Sequence, residues 1–600
     1  MKSLFALLML SMITTEPASS ATPPRKLDGQ WLFHVDSSRT GLDNSWYSPS
    51  HNRSDWVPAP VPAYWETYPG LENYDGWGWF ATKFTAERAG DSLSLYFGGV
   101  DDDAAVWVNG IPVGGHTGYS DPFLLDIRKA VRPGENQLVV LVKDYAGGGG
   151  IYRSVTLVDD RHLDDVLKGP YFGKHARQSA QWVKDAVIYS VYLRSFSREG
   201  TFAGLQKRLP ELKNMGITVL WLMPIHPVGV KNRKGTLGSP YSVRDYYGIN
   251  PEFGTMADFK SLLHAAHDLG LKVIIDLVAN HTSWDSKLIT EHPEWFTKDS
   301  TGAIVSPNPD WTDVADLDYS KPGLRRYMED MMVWWVKDVG IDGFRCDVAE
   351  LVPTDFWEDV RTKLDAVKPV MMLSEGSIPE HHMKAFDITY SWNVYDQLAP
   401  ILSGKRPATT IDTILKTESL QYPIGALRMR FTTNHDKNAW DAPAVTKFGP
   451  GGLRAATVLV ATMPGIPLLY TGEEVANDRR LSLFEKVDVD WTRPRTMGNL
   501  ESALFHCRAS HKALRDGAFT KLATDHDDQV YAFLRSSGND TVVVLINLHG
   551  ESVQCTLQLP APEREKLAGL RNIFTARPLL TGKEDGVTLE GYGYGVYVVR

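Results

Sequence analysis

The chain has 600 residues, of which 43% are hydrophobic and 23% charged, and its formal net charge at pH 7 is −10. This length exceeds the size at which a single hydrophobic core stops growing, so we expect more than one domain, one of them large. The acidic balance, without a basic cluster, excludes nucleic acid as a partner and favours a neutral ligand. No apolar run approaches the roughly 18 residues needed to span a bilayer, so membrane insertion is not expected.

The N-terminus has the pattern of a secretory signal peptide. Lys2 precedes an apolar run from Leu4 to Ile13, and the small residues Ser19-Ser20-Ala21 resemble a signal-peptidase site. We therefore predict a signal peptide over residues 1–21 and a secreted or periplasmic protein; a disordered leader on a cytosolic protein is the alternative. The three cysteines are too few for a disulfide framework, so stability must come from the core.

Residues 25–160 predict a β-sandwich. Short strands such as Leu93–Phe97 alternate with turns throughout this region. Val106–Val108 and Ile111–Val113 flank Asn109-Gly110, a dipeptide that tolerates the positive φ angles of a type I′ turn. We expect a hairpin there.

A polar stretch at about 159–179 predicts a linker, and apolar strands then alternate with helical segments over residues 180–515. In the segment Pro322–Val339, for example, apolar residues recur at helical spacing. Eight strands are predicted: Val187–Tyr192, Val219–Met223, Val273–Val278, Gly343–Val348, Val370–Ser374, Phe386–Tyr390, Met429–Thr433 and Pro467–Tyr470. Alternation of this kind implies parallel pairing, and eight units predict a (β/α)₈ barrel; an open doubly wound sheet is the alternative.

From residue 516 to residue 600 the helical period disappears and strands return. Val530–Arg535 and Thr541–Asn547 are the clearest of them. This pattern predicts a small C-terminal β-sandwich.

Polar residues stand at the ends of four predicted barrel strands. The segments are DLVANH (Asp276–His281), GFRCDVAEL (Gly343–Leu351), LSEG (Leu373–Gly376) and FTTNHD (Phe431–Asp436). Because the carboxyl ends of barrel strands share one rim, side chains that are far apart in sequence can converge there. The spacing assigns Asp347, Glu375 and Asp436, one from each of the last three segments, to strands four, five and seven.

The neighbours of these three acidic residues indicate a different candidate role for each. Arg345 and Asp347 are two apart on a strand and point to one face, where the guanidinium stabilises the charged carboxylate, so Asp347 is the candidate nucleophile. Cys346 between them faces the packing. Glu375 lies among other carboxylates, whose charge should keep it protonated as the candidate general acid/base. Asp436 supplies a third negative charge for an oxocarbenium-like transition state.

His281 and His435 are candidates for hydrogen bonding to ring hydroxyls of a sugar. Taken singly, each of these residues could equally be a strand cap, a surface ion pair or a structural histidine. The stretch between Asp276 and Asp347 exceeds one strand–helix unit by about 40 residues, which predicts a small lobe at about 282–320.

In this order, the four segments resemble the conserved regions of the α-amylase superfamily of retaining glycoside hydrolases. Further matching segments are SPYSVRDYYGINPEFGT (Ser239–Thr255), ADLDY (Ala315–Tyr319) and MPGIPLLYTGEE (Met463–Glu474). The resemblance implies the following roles: nucleophile Asp347, acid/base Glu375, transition-state stabiliser Asp436, sugar-stacking Tyr241, substrate-holding Arg345, His281 and His435, and a mainly structural Asp276. The two central carboxyls are then expected about 5–5.5 Å apart.

Two departures from the family pattern concern neighbours of the site. Ser239-Pro240 stands where many amylases have His-Gly, and Glu350-Leu351 where typical α-amylases have Lys-His. The second departure bears on the usual calcium site. Asn280 and Asp316 match calcium-ligand positions, so a structural calcium is an open expectation, although no cofactor is required for the chemistry.

The front region is similar to the sugar-binding jelly-roll module of β-galactosidase-type glycosidases. The segments that carry this similarity are WVPAPVPAYW (Trp56–Trp65), GVDDDAAVWVNG (Gly99–Gly110) and the glycine run at Gly147. Trp65, Trp77 or Trp79 would bind carbohydrate; the favoured alternative is a domain that only packs.

The predicted activity is hydrolysis of α-1,4 bonds in starch or maltodextrins, with retention at the anomeric carbon. Four alternatives stay open: transglycosylation, cleavage of α-1,6 bonds as in relatives with a residue like Val348 after the nucleophile, β-galactosidase-like activity, and non-catalytic glucan binding. The expected partner is an oligo- or polysaccharide. The sequence carries no signal for an oligomeric state.

Overall fold

The computed structural model describes residues 23–72, 74–87, 93–118, 122–145, 148–308, 310–580 and 586–599. The chain divides into two compact units, Met1–Lys168 and Gly169–Arg600. This division falls within the polar stretch 159–179. The predicted signal peptide at residues 1–21, like Gly147 of the glycine run, lies outside the described residues.

The first unit is a β-sandwich. Its described strands are β1 (Arg25–Lys26), β2 (Gly29–Val35), β3 (Val57–Val61), β4 (Trp77–Ala86), β5 (Leu93–Phe97), β6 (Asp103–Val108), β7 (Ile111–Thr117), β8 (Phe123–Asp126), β9 (Gly134–Lys143) and β10 (Val155–Asp159), followed by helix α1 (Leu163–Leu167). One sheet has the order β3-β2-β4-β9-β6-β7 and the other β1-β10-β5-β8. Phe33 and Val140 of the first sheet share a buried cluster with Leu95 of the second. The predicted sandwich is therefore confirmed.

The hairpin between β6 and β7 turns at Asn109 and Gly110, whose φ angles are 52° and 80°. Two consecutive positive φ angles are the signature of a type I′ turn, which matches the right-handed twist of the strands. The sequence prediction for this turn is confirmed.

Two tryptophans of this unit that were candidates for sugar contact are core residues. Trp65 and Trp79 are both 0% exposed. Trp65 lies against Phe33, and Trp79 donates its indole N–H to Asp36 at 3.0 Å. Neither ring is accessible to a sugar, so burial contradicts the candidate binding role of both and agrees with the favoured alternative, in which they only pack. Trp77 is half-buried beside Lys143, whose Nζ lies 4.6 Å from the ring centroid.

The second unit is built on a closed parallel barrel. Its strands are β11 (Ile188–Val191), β12 (Val219–Leu222), β13 (Lys272–Leu277), β16 (Gly343–Cys346), β17 (Met371–Ser374), β18 (Ile388–Tyr390), β19 (Leu427–Arg430) and β20 (Ile466–Tyr470). Pairing of Ile188 with Leu468 closes the ring. The (β/α)₈ barrel is confirmed, and the open sheet is excluded. The seventh strand begins two residues before the predicted Met429, and the chain leaves the ladder after Arg430.

Helices surround the barrel and extend into the C-terminal region. They are α2 (Gln181–Lys184), α3 (Leu193–Phe196), α4 (Phe202–Gln206), α5 (Leu209–Asn214), α6 (Met256–Asp268), α7 (Lys287–Glu291), α8 (Pro322–Trp334), α9 (Thr354–Asp365), α10 (His381–Lys384), α11 (Trp392–Leu402), α12 (Thr410–Gln421), α13 (Ala444–Thr462), α14 (Thr496–Ser510), α15 (Lys512–Asp516) and α16 (Ala561–Leu567). As predicted, α8 continues, through the π-helical turn Trp335–Val339, to Gly340. None of the helices in the described part of the chain combines the length and apolar character needed to span a bilayer.

A small lobe follows the third barrel strand, as the spacing predicted. Strands β14 (His281–Ser283) and β15 (Val314–Asp316) pair antiparallel, with His281 opposite Asp316. Helix α7 lies between them in sequence. The lobe thus begins and ends beside the barrel mouth.

The C-terminal region contains a five-stranded sheet with the order β21-β22-β23-β27-β25 and a two-stranded sheet of β24 and β26. The strands are β21 (Ala518–Leu522), β22 (Val530–Ser537), β23 (Asp540–Asn547), β24 (Val553–Thr556), β25 (Arg571–Asn572), β26 (Gly586–Leu589) and β27 (Tyr594–Val598). Phe533 and Val544 join the buried cluster of the barrel. This sheet therefore belongs to the same compact unit as the barrel.

Candidate active site

The predicted site residues lie at the carboxyl ends of the barrel strands. Asp276 is in β13 and pairs in register with Arg345 of β16. Asp347 directly follows β16, and Glu375 directly follows β17. Asp436 lies six residues beyond the end of β19. Because β13, β16 and β17 are neighbours, four of these side chains share one arc of the rim.

Arg345 holds three carboxylates together. Its Nη1 donates to Asp347 Oδ1 at 2.6 Å and to Asp276 Oδ1 at 2.9 Å. Its Nη2 lies 2.8 Å from Glu375 Oε2. The guanidinium is fully buried, and the two carboxylates at the mouth retain only a small exposed fraction. One cation therefore fixes the relative positions of Asp347 and Glu375.

Burial is the main influence on the acidity of these groups. It raises the pKa of Glu375 to about 8 and that of Asp347 to about 7, with the Arg345 guanidinium opposing and Asp436 reinforcing the rise. Burial likewise raises the pKa of Asp276 to about 6. The sequence argument named charge as the cause: neighbouring carboxylates for Glu375 and the guanidinium for Asp347. Loss of solvation is larger in both cases. For Asp347 the guanidinium does lower the pKa, as expected, but burial outweighs it, so the net shift is upwards and opposite to the expectation.

Tyr241, His435 and Asp436 form a second chain of contacts. The Tyr241 hydroxyl donates to Asp276 Oδ2 at 3.1 Å and lies 2.7 Å from His435 Nε2. The two rings stack with centroids 5.2 Å apart. His435 Nε2 is 3.2 Å from Asp436 Oδ2. Ser239, of the unusual Ser239-Pro240 pair, accepts the Tyr241 backbone N–H at 3.2 Å and so helps to orient that ring.

Both candidate histidines are neutral at physiological pH. Burial lowers the pKa of His435 to about 4 and that of His281 to about 4. His281 begins the lobe strand β14, and its ring centroid is 5.4 Å from that of Trp311. Neutral imidazoles can each donate one hydrogen bond and accept another, as binding of a neutral polyhydroxylated ligand requires.

Two aromatic residues at the site were not predicted. Trp221 donates its indole N–H to Asp276 Oδ2 at 3.1 Å, and its ring centroid is 5.2 Å from Arg345 Cζ. The Tyr390 hydroxyl accepts from Arg345 Nε at 3.3 Å. Both residues lie in predicted strands, so an inward-facing aromatic residue near a strand end was the available signal.

Val348 has a backbone conformation that is unusual for a β-branched residue. Its φ is 36° and its ψ 46°, in the left-handed region that costs such side chains free energy. The backbone N–H of Val348 donates to Glu375 Oε2 at 2.8 Å. This strained turn therefore aims a donor at one oxygen of the candidate acid and leaves the other oxygen to carry a proton.

Glu350, at a position that departs from the family pattern, folds back towards the end of strand β17. Its carboxylate accepts the backbone N–H of Ser377, and a Cβ at Gly376 would collide with its side chain. Leu351 is 58% exposed. Glu350 thus contacts the backbone directly after Glu375 and adds no cation there.

The open expectation of a structural calcium rests on Asn280 and Asp316. Asn280 Nδ2 lies 3.4 Å from His281 Nδ1, and burial raises the pKa of Asp316. Across the described residues, no three aspartate, glutamate, histidine or cysteine side chains converge as ligands for a metal. Calcium also binds amide and backbone carbonyl oxygens, which such a cluster of side chains does not include. The chemistry proposed below uses only groups of the chain.

Comparison with known proteins gives three matches to family models. The alpha amylase catalytic domain matches residues 172–313 and 308–540. The sugar binding domain of glycosyl hydrolases family 2 matches residues 24–161, and the C-terminal domain of maltogenic amylase matches residues 519–596. The three models together cover most of the chain.

Individual relatives agree with these matches. Alpha-amylase MalA of Haloarcula japonica is 27% identical over 496 residues, which cover 79% of this chain and 67% of that protein. A cyclomaltodextrinase of Geobacillus thermopakistaniensis is 23% identical and covers 70% of this chain and 78% of its own length.

Solved structures agree as well. An alpha-amylase from Lactobacillus plantarum has a TM-score of 0.63 and 32% identity, covering 70% of this chain and 100% of that one. The noncanonic maltogenic alpha-amylase AmyB of Thermotoga neapolitana has a TM-score of 0.61 and 33% identity, with 70% and 97% covered. Since the catalytic-domain model alone matches more than half of the residues, the chain belongs to the α-amylase family of glycoside hydrolases.

Proposed function

We propose that the protein is a retaining α-glucan hydrolase that cleaves α-1,4-glucosidic bonds in starch or maltodextrins. The observation that carries the proposal is the position of Asp347 and Glu375 on two nitrogens of one guanidinium at the barrel mouth. Retaining glycosidases need two carboxyl groups close enough to act on the same anomeric centre. The names of the relatives, which include alpha-amylases and a cyclomaltodextrinase, support α-linked glucans as the substrate class.

In the first step, an Asp347 oxygen attacks the anomeric carbon and forms a covalent glycosyl ester. The bond from that carbon to the leaving sugar breaks, and Glu375 transfers its proton to the departing oxygen. In the second step, the Glu375 carboxylate removes a proton from water while the water oxygen attacks the anomeric carbon. The ester bond breaks, Asp347 leaves as carboxylate, and two inversions leave the configuration unchanged.

The acidity of the two groups supports this division of roles. Between the pKa of Asp347, about 7, and that of Glu375, about 8, the first group is mostly ionised and the second mostly protonated. Glu375 Oε2 is occupied by the Val348 N–H and by Arg345, so Oε1 is the oxygen that would carry the proton.

The remaining residues would bind and stabilise the reacting sugar. Asp436 faces the developing positive charge of the oxocarbenium-like state, and Tyr241 offers its ring to one face of the pyranose. His281 and His435, both neutral, would hydrogen-bond ring hydroxyls. Asp276 accepts from Tyr241 and Arg345 and so positions both.

The N-terminal pattern of Lys2 followed by an apolar run supports a secreted or periplasmic location, where soluble α-glucans would be met outside the cytoplasm. Detection of the mature chain beginning near Thr22 in the medium or periplasm would support this part of the proposal. A full-length protein retained in the cytoplasm would contradict it.

The test follows maltoheptaose hydrolysis by NMR and by initial rates. We expect the α-anomer to appear first, and Asp347→Asn and Glu375→Gln each to lower kcat by about 10³-fold or more, since each removes a group that acts in the transition state. Glu294→Gln is the matched control, because this lobe carboxylate is exposed and outside the site. Wild-type rates in either site variant, or a β-anomer as first product, would overturn the assignment.

A substrate panel separates the alternatives. With maltotriose, products longer than the substrate would indicate transglycosylation. Cleavage of isomaltose, or of pullulan at its α-1,6 bonds, would indicate a preference for α-1,6 bonds. Cleavage of β-galactosides would indicate β-galactosidase-like activity. Protein that binds maltoheptaose and cleaves none of these substrates would indicate a non-catalytic glucan-binding protein.

A further inference from the structure

A tryptophan close to the active site has most of its surface in solvent. Trp440 is 60% exposed and lies on the π-helical turn Lys437–Asp441, which directly follows Asp436. Trp440 therefore lies four residues, about one helical turn, beyond the candidate transition-state stabiliser. The Trp440 and Phe484 rings, with centroids 5.7 Å apart and planes at 58°, together form what we call the aromatic shelf.

The backbone under this shelf is held from two sides. Arg480 donates to the backbone oxygens of Trp440 and Asp441, the former at 3.4 Å. Asn438 accepts the backbone N–H of Leu481 at 2.7 Å. The loops after β19 and β20 are thereby fastened to each other. Burial of a large apolar side chain stabilises a fold, so a fixed but exposed indole forgoes much of that stabilisation.

The shelf is continuous with the pocket. Ala439, Phe484 and Tyr241 are partly buried members of one hydrophobic cluster at the barrel mouth. The backbone N–H of Leu237, in the loop that carries Tyr241, donates to the Phe484 carbonyl at 3.0 Å. A sugar chain that extends from the Tyr241 ring across this cluster would lie near Phe484 and Trp440.

The order of the strands indicates which part of the substrate would lie against the aromatic shelf. Glu375 follows β17, and the leaving sugar must lie next to the group that protonates it. The shelf is carried by the loops after β19 and β20, on a different arc of the rim. It therefore flanks the part of the glucan that stays attached to the enzyme in the first step.

We propose that Trp440, backed by Phe484, is the stacking platform for a further α-linked glucosyl residue on the non-leaving side of the scissile bond. The flat apolar face of an indole complements the apolar face of a pyranose ring. Because the platform is held in place before binding, little ordering entropy is lost when a sugar stacks on it. This inference rests on the proposed glucan-hydrolase function.

The test measures binding of maltoheptaose by calorimetry in the full-length Glu375→Gln protein, which holds the substrate without turnover. Adding Trp440→Ala should raise the Kd about tenfold, and Trp440→Phe should restore most of the affinity because a ring remains. Phe574→Ala is the matched control, since this half-exposed ring lies in the C-terminal sheet region, and it should leave the Kd unchanged.

In the otherwise wild-type chain, Trp440→Ala should lower kcat/KM about tenfold for maltoheptaose and less than twofold for an aryl α-glucoside that fills only one subsite. Equal effects of Trp440→Ala on both substrates, or an unchanged Kd in the Glu375→Gln background, would contradict the proposed role of Trp440 in stacking. Absence of maltoheptaose binding and turnover in the parent proteins would instead refute the proposed function.

Discussion

The front sandwich and the mouth of the barrel bury opposite kinds of side chain. The sandwich encloses Trp65 and Trp79, each within a cluster of other rings and aliphatic groups. The mouth encloses Arg345, Asp276 and Glu375 with little access to water. Burial of apolar area stabilises a fold, whereas burial of charge costs free energy that pairing only partly returns. The first region is organised for stability and the second for chemistry.

The largest expected effect on stability tests the first half of this comparison. Trp79→Ala removes a buried ring that contacts Trp107 and Trp46 and should destabilise the front unit by about 3–5 kcal/mol. The measurement is the unfolding transition of that unit in calorimetry or urea. Hydrolysis of maltoheptaose at low temperature should stay within twofold of wild type.

Trp440→Ala is the natural control, measured on the unfolding transition of the second unit, because its ring is largely exposed and its removal should change the stability of that unit by no more than about 0.5 kcal/mol. A loss of similar size for both tryptophans would mean that burial does not distinguish the two regions. A large loss of activity in Trp79→Ala without unfolding would mean that the front unit takes part in catalysis.

The second prediction concerns the charge buried at the mouth. Burial raises the pKa of Glu375 from 4.5 to about 8, so between these values the folded state binds a proton that the unfolded state releases. Stability contributed by this group therefore falls as pH rises through that interval. Glu375→Gln removes the penalty and should stabilise the protein by about 1–2 kcal/mol at pH 8, and by almost nothing at pH 4. Thermal unfolding of the variant and of the wild type at the two pH values measures the difference. A variant that is less stable than the wild type at pH 8 would contradict the conclusion that the buried Glu375 carboxylate destabilises the fold.

The third prediction is the pH dependence of the reaction. Activity requires Asp347 ionised, which fails below its pKa of about 7, and Glu375 protonated, which fails above its pKa of about 8. The profile of kcat/KM should be bell-shaped with its maximum between these values, and each limb should fall about tenfold per pH unit. The two midpoints belong to the coupled pair. Initial rates with maltoheptaose at low substrate concentration measure the profile, and a flat profile from pH 6 to 9 would refute the assigned roles.

The positions of several residues at the barrel mouth could be predicted from the sequence, because they depend on where strands end and on the alternation of side chains along them. A residue that ends a parallel strand must lie on the rim, so Asp347, Glu375 and the arginine before them could be placed together without coordinates. Strand alternation likewise predicted that Cys346 faces the packing, and its side chain is fully buried. The Asn109-Gly110 turn was predictable for the same reason, since it needs only local geometry.

Properties that depend on packing could not be predicted in this way. A tryptophan looks the same in sequence whether its ring meets solvent or a neighbouring strand, which is why the sequence left both sugar contact and packing open for Trp65 and Trp79. The dominance of desolvation over charge at Glu375 also required knowledge of what covers the group. The left-handed conformation of Val348 is imposed by its surroundings against its own preference, so no propensity could reveal it.

Arg345 makes the three acids that it contacts energetically interdependent. The guanidinium contacts all three carboxylates: Asp276, Asp347 and Glu375. The charge of any one of them therefore changes how strongly Arg345 stabilises the other two. Substitutions at these positions must therefore deviate from additivity, because the second change acts on a partner already altered by the first. For laboratory evolution, this means that the effect of a substitution at one of these acids depends on which residues occupy the other two positions, on three adjacent strands.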